Sequence, residues 1–287
     1  MSSTEGSVRE WDDNWRTLVS HKQQLYQQGT PRTIVQFWHR CYFEDIWAAL
    51  GDRAASATYV ELGSGRGTTS MYLVSRGCEV TLVDLSAAAF RLASENFRRE
   101  GLKMPALVMA DARGTGLPPA SFSCVFNIGL LEHFEDPRPV LAEAMRLLAP
   151  GGLLFMVVVP ARSDGIKWLA RLLLCPWRLG AHILSRLAQT VRRRERADAA
   201  DGVYRTAYSR CDYRNWLVEC GASDVACVPY NAYHSVYRAE RFNQHIALPL
   251  YRFHHAIMRR LGRGPGLKTF ASVASCELLT GRKPLAS

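Results

Sequence analysis

Three carboxylates, a run of glycines and one His–Glu pair limit the chemistry open to this sequence. Glu61 stands just before Gly63-Ser64-Gly65-Arg66-Gly67. Asp84 ends the apolar run Val80-Thr81-Leu82-Val83, and Asp111 follows Val108-Met109-Ala110. A further apolar run closes on Asn127-Ile128-Gly129-Leu130-Leu131-Glu132-His133-Phe134. Glycines at a strand-to-helix turn let backbone approach a ligand without Cβ clashes. A carboxylate at the tip of the next strand can accept both hydroxyls of an adenosine ribose, and Asp111, one strand on, is placed to approach an adenine amino group. A dinucleotide loop would need its third glycine one residue later, because the pyrophosphate sits on the helix N-terminus. Glu61 beside the loop would also repel pyrophosphate. It suits a ligand carrying an ammonium and a sulfonium, which argues for S-adenosylmethionine (SAM) over a nicotinamide dinucleotide.

Proton transfer has two local candidates. Glu132 and His133 lie just past the fourth strand, and histidine titrates near neutrality. Methyl transfer from a sulfonium is an in-line displacement, so alignment and water exclusion matter most and a base is needed for a hydroxyl nucleophile. The same Leu-Glu-His-Phe string also reads as a helix start that packs Leu131 and Phe134, with Glu132 stabilising the helix N-terminus.

These groups require a frame. Short apolar runs (TYVELG, CEVTLVDL, PALVMAD, FSCVFNIG, GLLFMVVVP) alternate with TTSMYLVSRG, AAAFRLASENFRREG and PRPVLAEAMRLLAPGG. Alternation of strands and helices predicts βαβ units, and near-continuous apolar strands predict a sheet buried on both faces. The expected fold is α/β, a Rossmann-like, seven-stranded, mostly parallel sheet with helices on both faces. Ligands of such sheets sit beyond the carboxyl ends of the strands, where all the groups above fall.

In this order and at these spacings, ELGSGRGT, Asp84, Asp111, GLLEHFEDP and LLAPGG resemble the class I SAM-dependent methyltransferases, and most of all the small-molecule branch of quinone-biosynthesis and related O- and C-methyltransferases. The resemblance covers about residues 58–160. It implies that Glu61, Gly63, Ser64, Gly65 and Gly67 hold the methionine end of SAM. Asp84, with Leu85, would hold the ribose, and Asp111 and Ala112 the adenine. Asn127, Gly129 and Leu130 would flank the sulfonium. Some quinone O-methyltransferases hold a divalent metal with an acid earlier in the Glu-His string. Gly129 and Leu130 stand there instead, so no metal site is expected. The (D/N)-P-P-(Y/F) string of many nucleobase and glutamine N-methyltransferases is absent, which disfavours those acceptors.

The flanks fit no family. Residues 1–56 read as a helical N-terminal cap, with Trp11, Trp15, Leu18, Leu25, Tyr26, Ile34, Phe37, Trp38, Phe43, Ile46, Trp47 and Leu50 at roughly helical spacing. That stripe serves either as packing or as a cover over a ligand. Residues 57–160 form the SAM-binding core. Residues 161–208 are a basic amphipathic insertion. Residues 209–287 complete the core: a helix over 209–221, strands at 223–230 and 271–283, and a second insertion at 232–270. The two insertions are expected to form a lid. Within the second, His234, His245, His254 and His255, with Tyr230, Tyr233, Tyr237 and Tyr251, either line an acceptor pocket or pack.

The chain carries 36 Lys+Arg against 26 Asp+Glu, formally +10, and residues 160–210 hold eleven Lys/Arg against four acids, a local +7. Pro176 should divide the apolar and basic residues of 166–191 into two helices. A Trp/Leu-rich basic helix can lie in a membrane interface, so peripheral membrane contact through 166–196 is an expectation. The same patch suits an RNA methyltransferase, although no appended RNA-binding signature accompanies it, and nucleic acid is not the expected partner. A non-catalytic SAM-binding protein is the third reading. Eight cysteines with no C-x-x-C pair and a polar, acidic start imply a cytoplasmic setting with free thiols. No apolar run reaches the ~18 residues of a membrane span. The expected acceptor is a small hydrophobic or aromatic molecule, O-methylated by preference and C- or N-methylated otherwise.

Overall fold

The structure is a computed structural model, and residues 8–18, 25–159, 205–206, 208–231, 243–271 and 274–285 are described. Seven strands form one sheet in the order β3-β2-β1-β4-β5-β7-β6. The strands are β1 (Thr58–Leu62), β2 (Glu79–Asp84), β3 (Ala106–Met109), β4 (Phe122–Ile128), β5 (Leu148–Val158), β6 (Ser223–Tyr230) and β7 (Cys276–Arg282). β1 to β5 pair in parallel, while β7 runs antiparallel to both β5 and β6. The chain steps from β1 outward to β2 and β3, then returns to place β4 on the other side of β1. That reversal opens a crevice at the carboxyl ends of β1 and β4.

Helices cover both faces of the sheet. On one lie α2 (Ile34–Leu50), α3 (Thr68–Val74), α4 (Ala87–Arg99) and α7 (Leu248–Arg260). On the other lie α5 (Arg138–Leu147) and α6 (Arg210–Glu219). Val60, Phe126, Leu154 and Val157 are fully buried, as strands sandwiched between helices must be. Helix starts follow local chemistry. Thr33 and Gln36 form a reciprocal capping box at α2, Ser86 accepts from Ala89 N at α4, and Ser209 pairs with Asp212 at α6. Each cap is worth about 1 kcal/mol. Ser209 thus caps the helix that the sequence places over 209–221.

Several boundaries move. The predicted third strand ends at Met109, two residues before Asp111; Met109 opposite Asp84 is the last pair with β2. The last strand begins at Cys276 rather than 271. The N-terminal cap is helical over α1 (Val8–Leu18) and α2, and residues 25–33 just before α2 are non-helical. Residues 161–204 of the basic insertion, with the 166–196 membrane expectation, and residues 232–242 of the second insertion lie outside the described residues. The described part of that second insertion is α7 and the loop after it. α7 packs on α2 through Tyr251, whose ring meets Phe37 and Trp38. His255 lies edge-on to Phe37 and bonds Pro265 O, and His254 meets Thr269. These residues pack the cap onto the core.

Candidate active site

A cavity of about 450 Å³ opens at the carboxyl ends of β1, β2 and β4. β1 delivers Glu61 to its wall and passes into the glycine loop. Glu61 is buried and its carboxylate accepts from Ser70 Oγ at 2.5 Å. Gly63 has φ of +61°, and a Cβ there would lie 2.5 Å from the Leu130 side chain. A larger residue would therefore strain the turn and press on Leu130. Gly67 has φ of +64°, and a Cβ there would meet Leu82 at 2.9 Å and Phe97 at 3.0 Å. Gly67 does not line the cavity. It lets α3 and its loop pack close to β2 and α4.

Asp84 at the tip of β2 is fixed from two sides. Gly65 N donates to one carboxylate oxygen at 2.8 Å, and Ser86 N donates to the other at 2.8 Å. Burial pushes its carboxyl above the usual value, opposed by those backbone donors. Glu61 is pushed up to about 8, chiefly by burial and further by Asp84. Two acids in one dry wall are poorly solvated as anions and favour a cationic ligand.

The β4 end supplies the other wall. Gly129, Leu130, Glu132, His133 and Phe134 line the cavity, with Leu131–His133 forming a single 3₁₀ turn. This is neither the predicted free strand tip nor a full helix start. Glu132 is buried, and burial pushes its carboxyl up to about 8. Its Oε1 lies 3.9 Å from His133 Nε2, while Oε2 has no hydrogen-bond partner among the described residues. Asn127, near the end of β4, is fully buried; both its side-chain polar atoms lack partners among the described residues, and it does not line the cavity.

The structure brings Glu61, Gly63, Ser64, Gly65, Asp84, Leu85, Ala112, Gly129, Leu130, Glu132 and His133 into one cavity. Asp111 departs from the sequence reading. Its carboxylate faces Arg113, held at 2.6 Å to Nη2, and Arg113 rather than Asp111 lines the cavity. That guanidinium holds the Asp111 carboxyl below its usual value against the opposing effect of burial.

Residues outside the recognised motif complete the wall. Trp11 and Trp15 of α1, and Trp38, His39 and Tyr42 of α2, line the cavity. Trp15 lies over the loop, 2.6 Å from where a Cβ on Gly65 would be. Trp11 meets the His133 ring edge-on at 4.8 Å. His39 Nδ1 is 2.7 Å from Thr69 Oγ1 at the start of α3. Asp12 ties α1 down by accepting from Ser86 Oγ and from Ala88 N, so its carboxylate sits on the N-terminus of α4. The N-terminal aromatic stripe therefore has both predicted roles. Phe37, Phe43, Ile46 and Leu50 pack, while Trp11, Trp15 and Trp38 cover the cavity. Sequence reading passed over His39 and Tyr42. Their i, i+3 spacing with each other and with Trp38 nearby was the available signal.

SAM fits this donor set. Among the described residues the buried Ser64 Oγ and Glu132 Oε2 lack partners, and the carboxylates of Glu61 and Asp84 border the same cavity, as an ammonium and a ribose would require. Among the described residues no group of three or more His, Cys, Asp or Glu could hold a metal.

A pH dependence of stability follows. Glu61 and Glu132 titrate near 8 in the fold against an ordinary 4.5. The folded state then binds more protons than the unfolded chain between those values. Their contribution is fully present below 4.5 and is lost as pH rises to about 8. Thermal melts of the ligand-free protein should show a falling midpoint across that window. Glu61→Gln and Glu132→Gln should each flatten the slope; a slope unchanged in both variants would show that other groups set it.

Residues 60–156 match a family described as Methyltransferase domain. A ubiquinone biosynthesis O-methyltransferase of Xanthomonas euvesicatoria is 29% identical over 126 residues, 42% of this chain and 53% of that protein. The chain spans about half the length of the curated relatives it matches. A SAM-dependent methyltransferase of Thermotoga maritima, described as a possible histamine N-methyltransferase, superposes with a TM-score of 0.52 at 15% identity, covering 96% of this chain and 97% of the other. A structure described under conversion of a disulfide bond into a thioacetal group during echinomycin biosynthesis gives a TM-score of 0.55 at 16% identity, covering 98% and 93%. At these identities the structural likeness speaks for the fold. The glycine loop, the Asp84 tip and the β4 end of the cavity all fall within the residues that match the methyltransferase-domain family.

Proposed function

We propose that the chain transfers a methyl group from SAM to a small hydrophobic or aromatic acceptor, with oxygen as the preferred nucleophile and carbon or nitrogen next. SAM supplies an electrophilic methyl group on a sulfonium. Glu61 and the backbone of Gly63 to Gly65 hold its amino-acid end, Asp84 and Leu85 the ribose, and Ala112 the adenine, with Asp111 and Arg113 beside it. Gly129 and Leu130 pass close to the sulfonium, and the buried Asn127 supports that turn from behind.

One observation supports this reading most. A single cavity has the carboxylates of Glu61 and Asp84 on one wall and Glu132, His133 and an aromatic screen on another. Its volume of about 450 Å³ lies in the ordinary range for small-ligand sites. Trp11, Trp15, Trp38 and Tyr42 exclude water and offer flat apolar surface to a ring. Glu132 or His133 takes the proton from an acceptor hydroxyl. The ubiquinone O-methyltransferase relatives favour a hydroxylated ring as the acceptor.

Calorimetry with S-adenosylhomocysteine (SAH), followed by transfer of tritiated methyl from SAM to a panel of catechols, phenols and aromatic amines, tests this reading. Binding with transfer to at least one hydroxylated ring is expected. No SAH binding, or transfer to total RNA with no small acceptor, would overturn it.

A further inference from the structure

Residues 243–271 contain five Lys/Arg (Arg252, Arg259, Arg260, Arg263 and Lys268) and no Asp or Glu. Their helix, α7, is apolar on two sides. Leu248, Tyr251 and Met258 are buried toward the core, Tyr251 against α2. Leu250, Phe253, Ile257 and Leu261 recur at spacings of three and four, so they form one stripe on a different side. That stripe is exposed: Phe253 at 67%, Leu250 at 60%, Leu261 at 58%. Phe270, 44% exposed, follows in the next loop with the Arg263 guanidinium 5.0 Å above its ring. Among the described residues no carboxylate pairs with Arg259, Arg260 or Arg263. Burying the core side alone would not require large side chains here, and an exposed apolar stripe of this extent marks an interaction surface.

We infer that the outer face of α7, with Phe270, docks on an anionic lipid bilayer. Charge selects the occupant. The face presents cations around an apolar stripe, the pattern of a helix lying in the headgroup plane. Each Lys or Arg near an anionic leaflet raises partitioning roughly fivefold. A second copy would bring the same cations against these. Residues 161–204 of this chain carry nine Lys/Arg against four acids, so their charge also has the wrong sign to neutralise the face. The placement suits a lipid-soluble acceptor, because Tyr251 of α7 packs edge-on at 5.9 Å against Trp38, which lines the cavity. The docking claim itself stands apart from the methyl-transfer reading.

Vesicle co-sedimentation of the full chain tests it. Wild type should sediment with phosphatidylcholine vesicles containing about 30 mol % phosphatidylglycerol, not with phosphatidylcholine alone, and salt should release it. Phe253→Ser combined with Leu261→Ser should weaken binding at least about tenfold, since each removes a large apolar group. Arg260→Glu combined with Arg263→Glu should do the same. All these side chains are exposed, and unchanged thermal melts and SAH binding would show that the fold and the cofactor site survive. Wild type that does not sediment, that binds neutral vesicles equally well, or that is matched by both variants would overturn the inference. So would sedimentation velocity showing a lipid-free dimer that the variants dissolve, since the face would then belong to a second copy.

Discussion

Asp84→Ala is expected to lower SAH affinity by about 10² to 10⁴-fold. Two charge-assisted hydrogen bonds to a ribose are worth roughly 1.5–3 kcal/mol each, and this carboxylate is the group placed to make them. The effect has a second source. Asp84 also accepts from Gly65 N and Ser86 N, so its loss frees the glycine loop and the start of α4 as well. Asp84→Asn keeps the volume and one acceptor oxygen, so one of the two backbone contacts can survive and affinity should fall by an intermediate amount. Calorimetric titration of both variants with SAH measures this. An unchanged dissociation constant in Asp84→Ala would remove Asp84 from the cofactor site.

Glu132→Gln is expected to slow turnover by about 10² to 10⁴-fold, the usual contribution of a positioned base, while SAH affinity changes little. Glu132 is buried, lines the cavity and keeps one oxygen without a partner. Its carboxyl is pushed up to about 8 by burial. Below that pH it is mostly protonated and cannot accept a proton, so the wild-type rate should rise with pH toward about 8. A cation bound in the cavity moves that limb to lower pH by favouring the carboxylate. Glu132→Gln should lose the limb altogether. His133→Ala should cost less, because His133 lies 3.9 Å from Glu132 Oε1 and packs under Trp11. It should slow turnover with SAH affinity kept. If Glu132→Gln turns over at the wild-type rate with the same pH profile, Glu132 has no part in proton transfer; the same result for His133→Ala removes His133.

The core was legible because its signals are local. A buried parallel strand must be a continuous apolar run, a tight strand-to-helix turn must be glycine-rich, and a helix start must find a cap. Thus β1, β2, β4, β6 and the helix that begins at 209–210 fall where the residues place them. The partner of Asp111 is a local feature that spacing hides: Arg113, two residues on, holds its carboxylate. The 3₁₀ turn at Leu131–His133 was equally hidden, since three residues carry no periodicity.

The aromatic wall of the cavity was only half legible, since the N-terminal stripe reads equally as packing or as a cover. Trp11, Trp15, His39 and Tyr42 lie far from the motif in sequence, and only folding α1 and α2 across the sheet edge brings them to it. Residue types and short-range spacing by themselves determined the strands, the glycine loop, the Asp84 tip and the cationic excess. Each follows from backbone sterics or burial within a few residues. The tertiary structure alone decided which carboxylates are dry, which aromatic rings close the cavity and which face of α7 stays bare. Those properties depend on long-range packing, and packing decides solvation.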